Sequence, residues 1–207
     1  METKTKTKNP VLLYTERTPN PEALKFVTNK MLYRGTADFQ EEELARKYSP
    51  LATEIFEFPY VKGVYISNNF VTVTKELNYS WDDIMLKVKA FIKEYVEADK
   101  LIIDDSFQEY IEEQETAKRE KEGVVYSGDE GEIVTRIKDL IETYVKPAVA
   151  GDGGNIEFES YDNGVVSVLL QGACSGCPSS LITLKSGIEG MLKRMIPEIK
   201  AVEAHMD

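Results

Sequence analysis

The residues best equipped for chemistry in this chain are two cysteines, Cys174 and Cys177, the only two it holds. They stand in the run Gly172-Ala173-Cys174-Ser175-Gly176-Cys177-Pro178. A disulfide scaffold spreads several cysteines along the chain to close long loops, so an adjacent pair reads as a chemical device rather than a staple. A strand-like run, Val165 to Leu170, leads into the pair and a helical pattern leaves it. At such a turn, backbone N–H groups and the partial positive charge of a helix start favour the thiolate, the form that binds metal and attacks disulfides. The flanking glycines argue against two cysteines serving as small buried hydrophobes.

Three chemistries fit a lone Cys-x-x-Cys. A thioredoxin-like dithiol normally follows the first strand of a β-α-β unit, whereas an antiparallel hairpin precedes the pair here. Tetrahedral zinc and an iron–sulfur cubane each want about four protein ligands. One chain offers two thiols and a single histidine, His205, read as part of a frayed tail. The shortfall is met most simply by two chains, each giving Cys174 and Cys177 across a two-fold axis. A cluster held in that way is lost whenever the dimer opens, which suits a carrier better than a permanent electron-transfer centre. Gly151-Asp152-Gly153-Gly154-Asn155 lacks the spacing of a phosphate-binding loop and follows a helix. It reads as a tight turn or as a support for the cysteines. No Ser/His/Asp set is present and no catalytic residue is assigned, so the chain is not read as an enzyme.

These residues must be positioned by two small α+β domains. In the first, residues 11–97, Val11 to Thr15 and Leu24 to Val27 read as strands around the turn Thr18-Pro19-Asn20-Pro21. Ser49-Pro50 opens a short helix. Val64 to Ile66 and Phe70 to Thr74 form a hairpin. Ser80 starts a helix carrying Trp81, Ile84, Met85, Val88, Phe91, Ile92 and Tyr95 at helical spacing. In the second, residues 131–203, a helix with Ile133, Ile137, Leu140, Ile141 and Tyr144 ends at Pro147. A hairpin turns at Asp162-Asn163-Gly164. A helix with Leu181, Leu184, Ile188, Leu192 and Met195 follows, then a last strand near Ile199. The order α-β-β-α-β predicts two helices on one face of a small sheet.

Charge is concentrated between the two. From Glu97 to Glu132 there are thirteen acids and four bases, which is −9 of the chain's net −11. Residues 98–130 therefore read as an acidic linker, partly helical or disordered and too polar to pack. An acidic surface argues against a nucleic-acid partner, and no run is apolar enough to span a bilayer. Residues 1–10 read as a disordered tail without a targeting pattern, giving the expectation of a cytoplasmic protein. A charged linker of this kind would let the halves tumble separately, with the second folding and working alone.

Taken together, Lys146-Pro147, Gly151 to Asn155 and Gly172 to Pro178 resemble the carboxy-terminal domain of NifU-like (Nfu-type) iron–sulfur scaffold proteins. Thr18-Pro19-Asn20-Pro21, Lys25-Phe26, Ser49-Pro50-Leu51-Ala52, Val61-Lys62-Gly63-Val64 and Val71 to Lys75 resemble that family's amino-terminal domain. The resemblance implies a labile [4Fe–4S] cluster bridged between two subunits through Cys174 and Cys177. It also implies delivery to apo iron–sulfur proteins, with an upstream assembly scaffold as supplier, rather than catalysis. The resemblance does not extend to the extra scaffold and ferredoxin-like domains of the larger nitrogen-fixation proteins, so carriage is expected rather than assembly. The contrasting reading is a Cys-x-x-Cys dithiol oxidoreductase.

Overall fold

The computed structural model describes residues 10–122, 126–175 and 178–206. Cys177 and most of the amino-terminal tail, both singled out above, lie outside the described residues. The first half is a five-stranded antiparallel sheet in the order β1-β2-β5-β4-β3, from β1 (Leu13–Arg17), β2 (Ala23–Thr28), β3 (Tyr33–Phe39), β4 (Val61–Asn68) and β5 (Phe70–Lys75). Helices α1 (Glu42–Tyr48), α2 (Pro50–Phe56) and α3 (Trp81–Glu97) supply apolar side chains to one core. The sheet brings Leu24, Phe26, Val64, Ile66, Val71 and Val73 to it. Ser49 caps α2 by accepting from the Ala52 N–H at 3.1 Å, and Pro50 takes the first helical position, where its missing N–H costs nothing. The sequence reading overlooks β3 and α1. Gly35 interrupts the alternation of β3, whose pairing with β4 shifts register there, and α1 is only seven residues long.

The acidic connector is partly helical, as expected, but it is not too polar to pack. Helix α4 (Ser106–Glu122) begins inside it, and Ile103 and Phe107 are buried in the first core, with Tyr110 and Ile111 packed against that core. Phe107, Tyr110 and Ile111, at spacings of three and one, form a helical stripe at the start of α4, and Ile103 packs just before it. Phe107 meets Tyr33, Phe39, Tyr48 and Tyr110 at ring-centroid distances of 5.5 to 6.2 Å. Glu109, Glu112 and Glu113 are exposed on the other faces of the helix, so the mean composition hides an amphipathic start. Phe107→Leu, which keeps bulk but loses the ring contacts, should lower the stability of the first half by about 1 kcal/mol in urea unfolding.

The second half runs through α5 (Asp129–Leu140), a wide π turn (Ile141–Val145) and α6 (Lys146–Gly151). Next come β6 (Gly154–Asp162), β7 (Val165–Gly172), α7 (Pro178–Met195) and β8 (Ala201–Met206). The sheet order is β6-β7-β8, antiparallel then parallel, as the α7 crossover requires. Asn163 and Gly164 both have positive φ, 49° and 91°, the geometry that an Asn-Gly hairpin turn supplies. Pro147 does not end the first helix. The Lys146 N–H pairs with the Ile141 carbonyl, five residues back. This widened turn takes up the proline, which lacks an N–H and crowds the carbonyl four residues before it. His205 is likewise not in a tail but on β8, opposite Leu169.

The halves are docked, against the expectation of separate tumbling. Every residue of β2 is buried, on both faces of the sheet. One face meets the helices; the other carries Lys25, Val27, Tyr65, Phe70 and Thr72, all buried, and receives the loops around Cys174. An antiparallel sheet covered on both faces needs a second layer, and the second half is that layer.

Candidate functional site

Cys174 stands just beyond β7, whose last residue, Gly172, has φ +66°. The turn is closed within itself. Ser175 donates its N–H to the Gly172 carbonyl at 3.1 Å and its hydroxyl to the same oxygen at 2.7 Å. The Ala173 N–H donates to the Gly153 carbonyl at 3.1 Å, tying the turn to the Gly-rich loop. At Gly154 a Cβ would lie 2.5 Å from the Gln171 carbonyl oxygen and 2.9 Å from Cys174 Sγ. The Gly-rich loop is thus shaped to let the backbone pass beside the sulfur. Gly154→Ala should destabilise the second half by about 1–3 kcal/mol, because the backbone oxygen cannot move aside. Thermal unfolding would register this as a lower Tm.

Cys174 is buried, with 6% exposure, and belongs to the second core with Ile156, Leu170 and Ile188. For Cys174, this corrects the reading that sets aside a cysteine serving as a small buried hydrophobe. It also corrects the expectation of a thiolate. Burial, aided by the negative charge of Asp152, pushes the Cys174 thiol up to about 12. Desolvation disfavours the charged form of any acid, and here it outweighs the helix that begins at Pro178. A redox dithiol needs a low-pKa attacking sulfur at working pH, so Cys174 in this conformation is a poor one. The sign for stability follows. Above the unfolded thiol's pKa the unfolded chain loses its proton first, so stability falls as pH rises from about 9 towards 12. Urea midpoints measured across that range on Cys174→Ala and the parent chain should converge as pH rises.

The first half grips the same turn. Asn20, 2% exposed, donates from Nδ2 to the Ala173 carbonyl at 3.1 Å and the Ser175 carbonyl at 3.4 Å. Its own turn is fixed by the Thr18 hydroxyl, which donates to the Asn20 and Ala23 carbonyls, and by the Glu22 N–H, which donates to Asn20 Oδ1 at 2.9 Å. The Gly172 N–H donates to Asp38 Oδ2 at 3.0 Å, and Gln40 Nε2 donates to Asp38 Oδ1 at 2.9 Å and Ser175 Oγ at 3.4 Å. The Thr72 hydroxyl donates to the Gly153 carbonyl at 2.8 Å. Lys25 donates to the Ala150 and Gly151 carbonyls, both at 3.1 Å, at the carboxy-terminal end of α6, where a cation is favoured. Glu16 balances its charge at 3.1 Å and the Phe70 ring lies 4.5 Å below it.

Sequence reasoning named Cys174 and missed the five residues that hold it from the other half. Asn20, Lys25 and Thr72 stand in motifs quoted above for resemblance, and a lysine inside the apolar run Leu24-Lys25-Phe26-Val27 is itself a signal. Asp38 and Gln40 carry none that one sequence can reveal. Cys177, the second predicted ligand, lies outside the described residues. Among the described residues, no three His, Cys, Asp or Glu side chains gather as a metal site.

Comparison with known proteins accounts for both halves. Residues 13–99 match the model described as "Scaffold protein Nfu/NifU N terminal", and residues 137–203 match the "NifU-like domain". "NifU-like protein 4, mitochondrial" of Arabidopsis thaliana is 39% identical over 200 residues, covering 95% of this chain and 67% of that protein. The chain belongs to the Nfu/NifU-like family. The human "NFU1 iron-sulfur cluster scaffold homolog, mitochondrial" is 36% identical over 199 residues, covering 95% of this chain and 73% of that one. The Drosophila willistoni protein of the same description is 37% identical over 202 residues, covering 97% and 65%. The chain therefore spans about two thirds of the length of its Arabidopsis and Drosophila relatives. The expectation of a cytoplasmic protein is overturned, because these relatives are mitochondrial by name. The composition of ten residues is too slight a basis for a compartment.

Proposed function

We propose that this Nfu-family chain is an iron–sulfur cluster scaffold and carrier, in which two copies share one [4Fe–4S] cluster through Cys174 and Cys177. One observation carries the reading: the chain has two cysteines in all, with two residues between them, in the domain that matches the NifU-like model. The cluster is cargo, received from an upstream assembly scaffold and passed to apo iron–sulfur proteins. The protein's part is to present sulfur, to exclude other ligands and to let go.

The donor chemistry fits. Cluster iron takes thiolate, and two thiols per chain supply four when two copies meet. The glycine at position 154 leaves the space beside Cys174 Sγ unfilled by a side chain. Because the bound form is the thiolate, loading removes a proton from Cys174, and the second core must release that sulfur to the surface. Carriage asks for a site of this kind, one whose empty state is stable and whose loaded state is reversible. The raised thiol weighs against the dithiol oxidoreductase.

Anaerobic reconstitution with ferrous iron and sulfide, followed by addition of an apo-acceptor, tests the reading. The expected result is about four irons and four sulfides per two chains, with acceptor activity restored. A chain that holds no iron and sulfide, yet reduces a model disulfide with turnover, would overturn the reading in favour of the oxidoreductase.

A further inference from the structure

The surface of the first half that touches the cysteine turn is as specific as a binding site. Asn20 is buried and places both amide hydrogens on carbonyls of the turn, those of Ala173 and Ser175. Asp38 accepts the Gly172 N–H, and Gln40 reaches the Ser175 hydroxyl. These four contacts take hold of the residues on either side of Cys174. A second group sits a short way off, where Lys25 closes the end of α6 and Thr72 holds the Gly153 carbonyl. Tyr65 lies under the turn. A Cβ at Gly172 would fall 2.9 Å from its ring. Buried polar groups this well matched to one loop are costly to leave unpaired, so they define what belongs there.

We infer that this face of the first half is a latch for the cysteine turn: it holds the empty turn with Cys174 in the second core. The same turn must be surrendered before two copies share a cluster. The inference rests on the carrier reading, since a shared cluster is what competes with the latch. Two occupants, the first half of the same chain and the second copy, cannot both sit against residues 172–175. Opening the latch frees the carbonyls of Ala173 and Ser175 and the Gly172 N–H, and lets Cys174 turn outward. Once the cluster has passed to an acceptor, the Cys174 thiolate takes up a proton and the latch closes over the buried thiol, which opposes reloading. Asn20, Asp38 and Gln40 are therefore positioning residues for loading and release, which gives the first half a role despite its having no cysteine.

The test uses the full chain. In a Cys177→Ser background only Cys174 can be alkylated, and the rate with iodoacetamide reads the opening of the turn without iron. Asn20→Ala, Asp38→Asn and Gln40→Ala should each raise that rate roughly tenfold, the factor that one lost hydrogen bond of ordinary strength gives an opening equilibrium. In the two-cysteine chain, the same substitutions should raise the fraction of dimer formed at limiting iron and sulfide. Circular dichroism confirms that each variant is folded. Should Asn20→Ala unfold, the half-buried Gln40 still decides the matter. Unchanged alkylation in the folded variants would overturn the latch. Absence of iron and sulfide from every variant and the parent would overturn the carrier reading instead, and the alkylation rates would still report the latch.

Discussion

Replacing Cys177 by serine is expected to abolish stable cluster binding, a loss of at least about 100-fold in iron retained after desalting, because a hard hydroxyl would replace a thiolate at one of the four proposed ligand positions. Cys174→Ser should lose the cluster equally, but at an added cost. Cys174 is packed in the second core, so the serine hydroxyl is buried without an assigned partner and should lower stability by about 1–3 kcal/mol. Cys174→Ala separates the two effects: it removes the ligand and buries no hydroxyl. Iron and sulfide analysis alongside urea unfolding of the three variants distinguishes loss of a ligand from loss of a core residue. Full cluster occupancy in Cys177→Ser would show that the ligand assignment is wrong.

Phe107→Ala should cost about 3–5 kcal/mol in the first half, as for a fully enclosed ring. The residue lies in a segment whose composition reads as a solvated spacer, yet it is 2% exposed and touches four other aromatic rings. Substituting the glutamates of the same helix at Glu112 and Glu113 by glutamine should change stability by less than about 0.5 kcal/mol, since both are exposed. Urea unfolding followed by tryptophan fluorescence suits the comparison, because Trp81, the only tryptophan, packs on Phe26 in the same core at 6.1 Å. A Phe107→Ala chain as stable as its parent would restore the plain-spacer reading.

The contrast shows which features a single sequence makes legible. Periodic apolar spacing revealed α3, and Asn163-Gly164 revealed the β6–β7 hairpin, because a helix stripe and two positive φ angles are written in adjacent residues. The α-β-β-α-β order of the second half was readable for the same reason. Phe107 was lost because four apolar residues among many glutamates are averaged away. Pro147 reads as a stop in the sequence, since a π turn that absorbs a proline leaves no mark in composition. Cys174 is recognisable as chemistry but not as core, because its burial depends on Gly154, Leu170 and Ile188 arriving from separate elements. Docking was the least legible feature of all. Asn20 and Ala173 are 153 positions apart, and contacts at that separation are fixed by the assembled surfaces and not by any local pattern.

Native mass spectrometry of the anaerobically reconstituted full chain addresses the central claim most directly, because it weighs protein and cluster in one species. The account predicts two chains carrying a single four-iron, four-sulfide cluster, and conversion to monomer, without intermediate stoichiometries, when a chelator removes the iron. A four-iron cluster riding on a single chain, with no added thiol to complete its ligands, would contradict it.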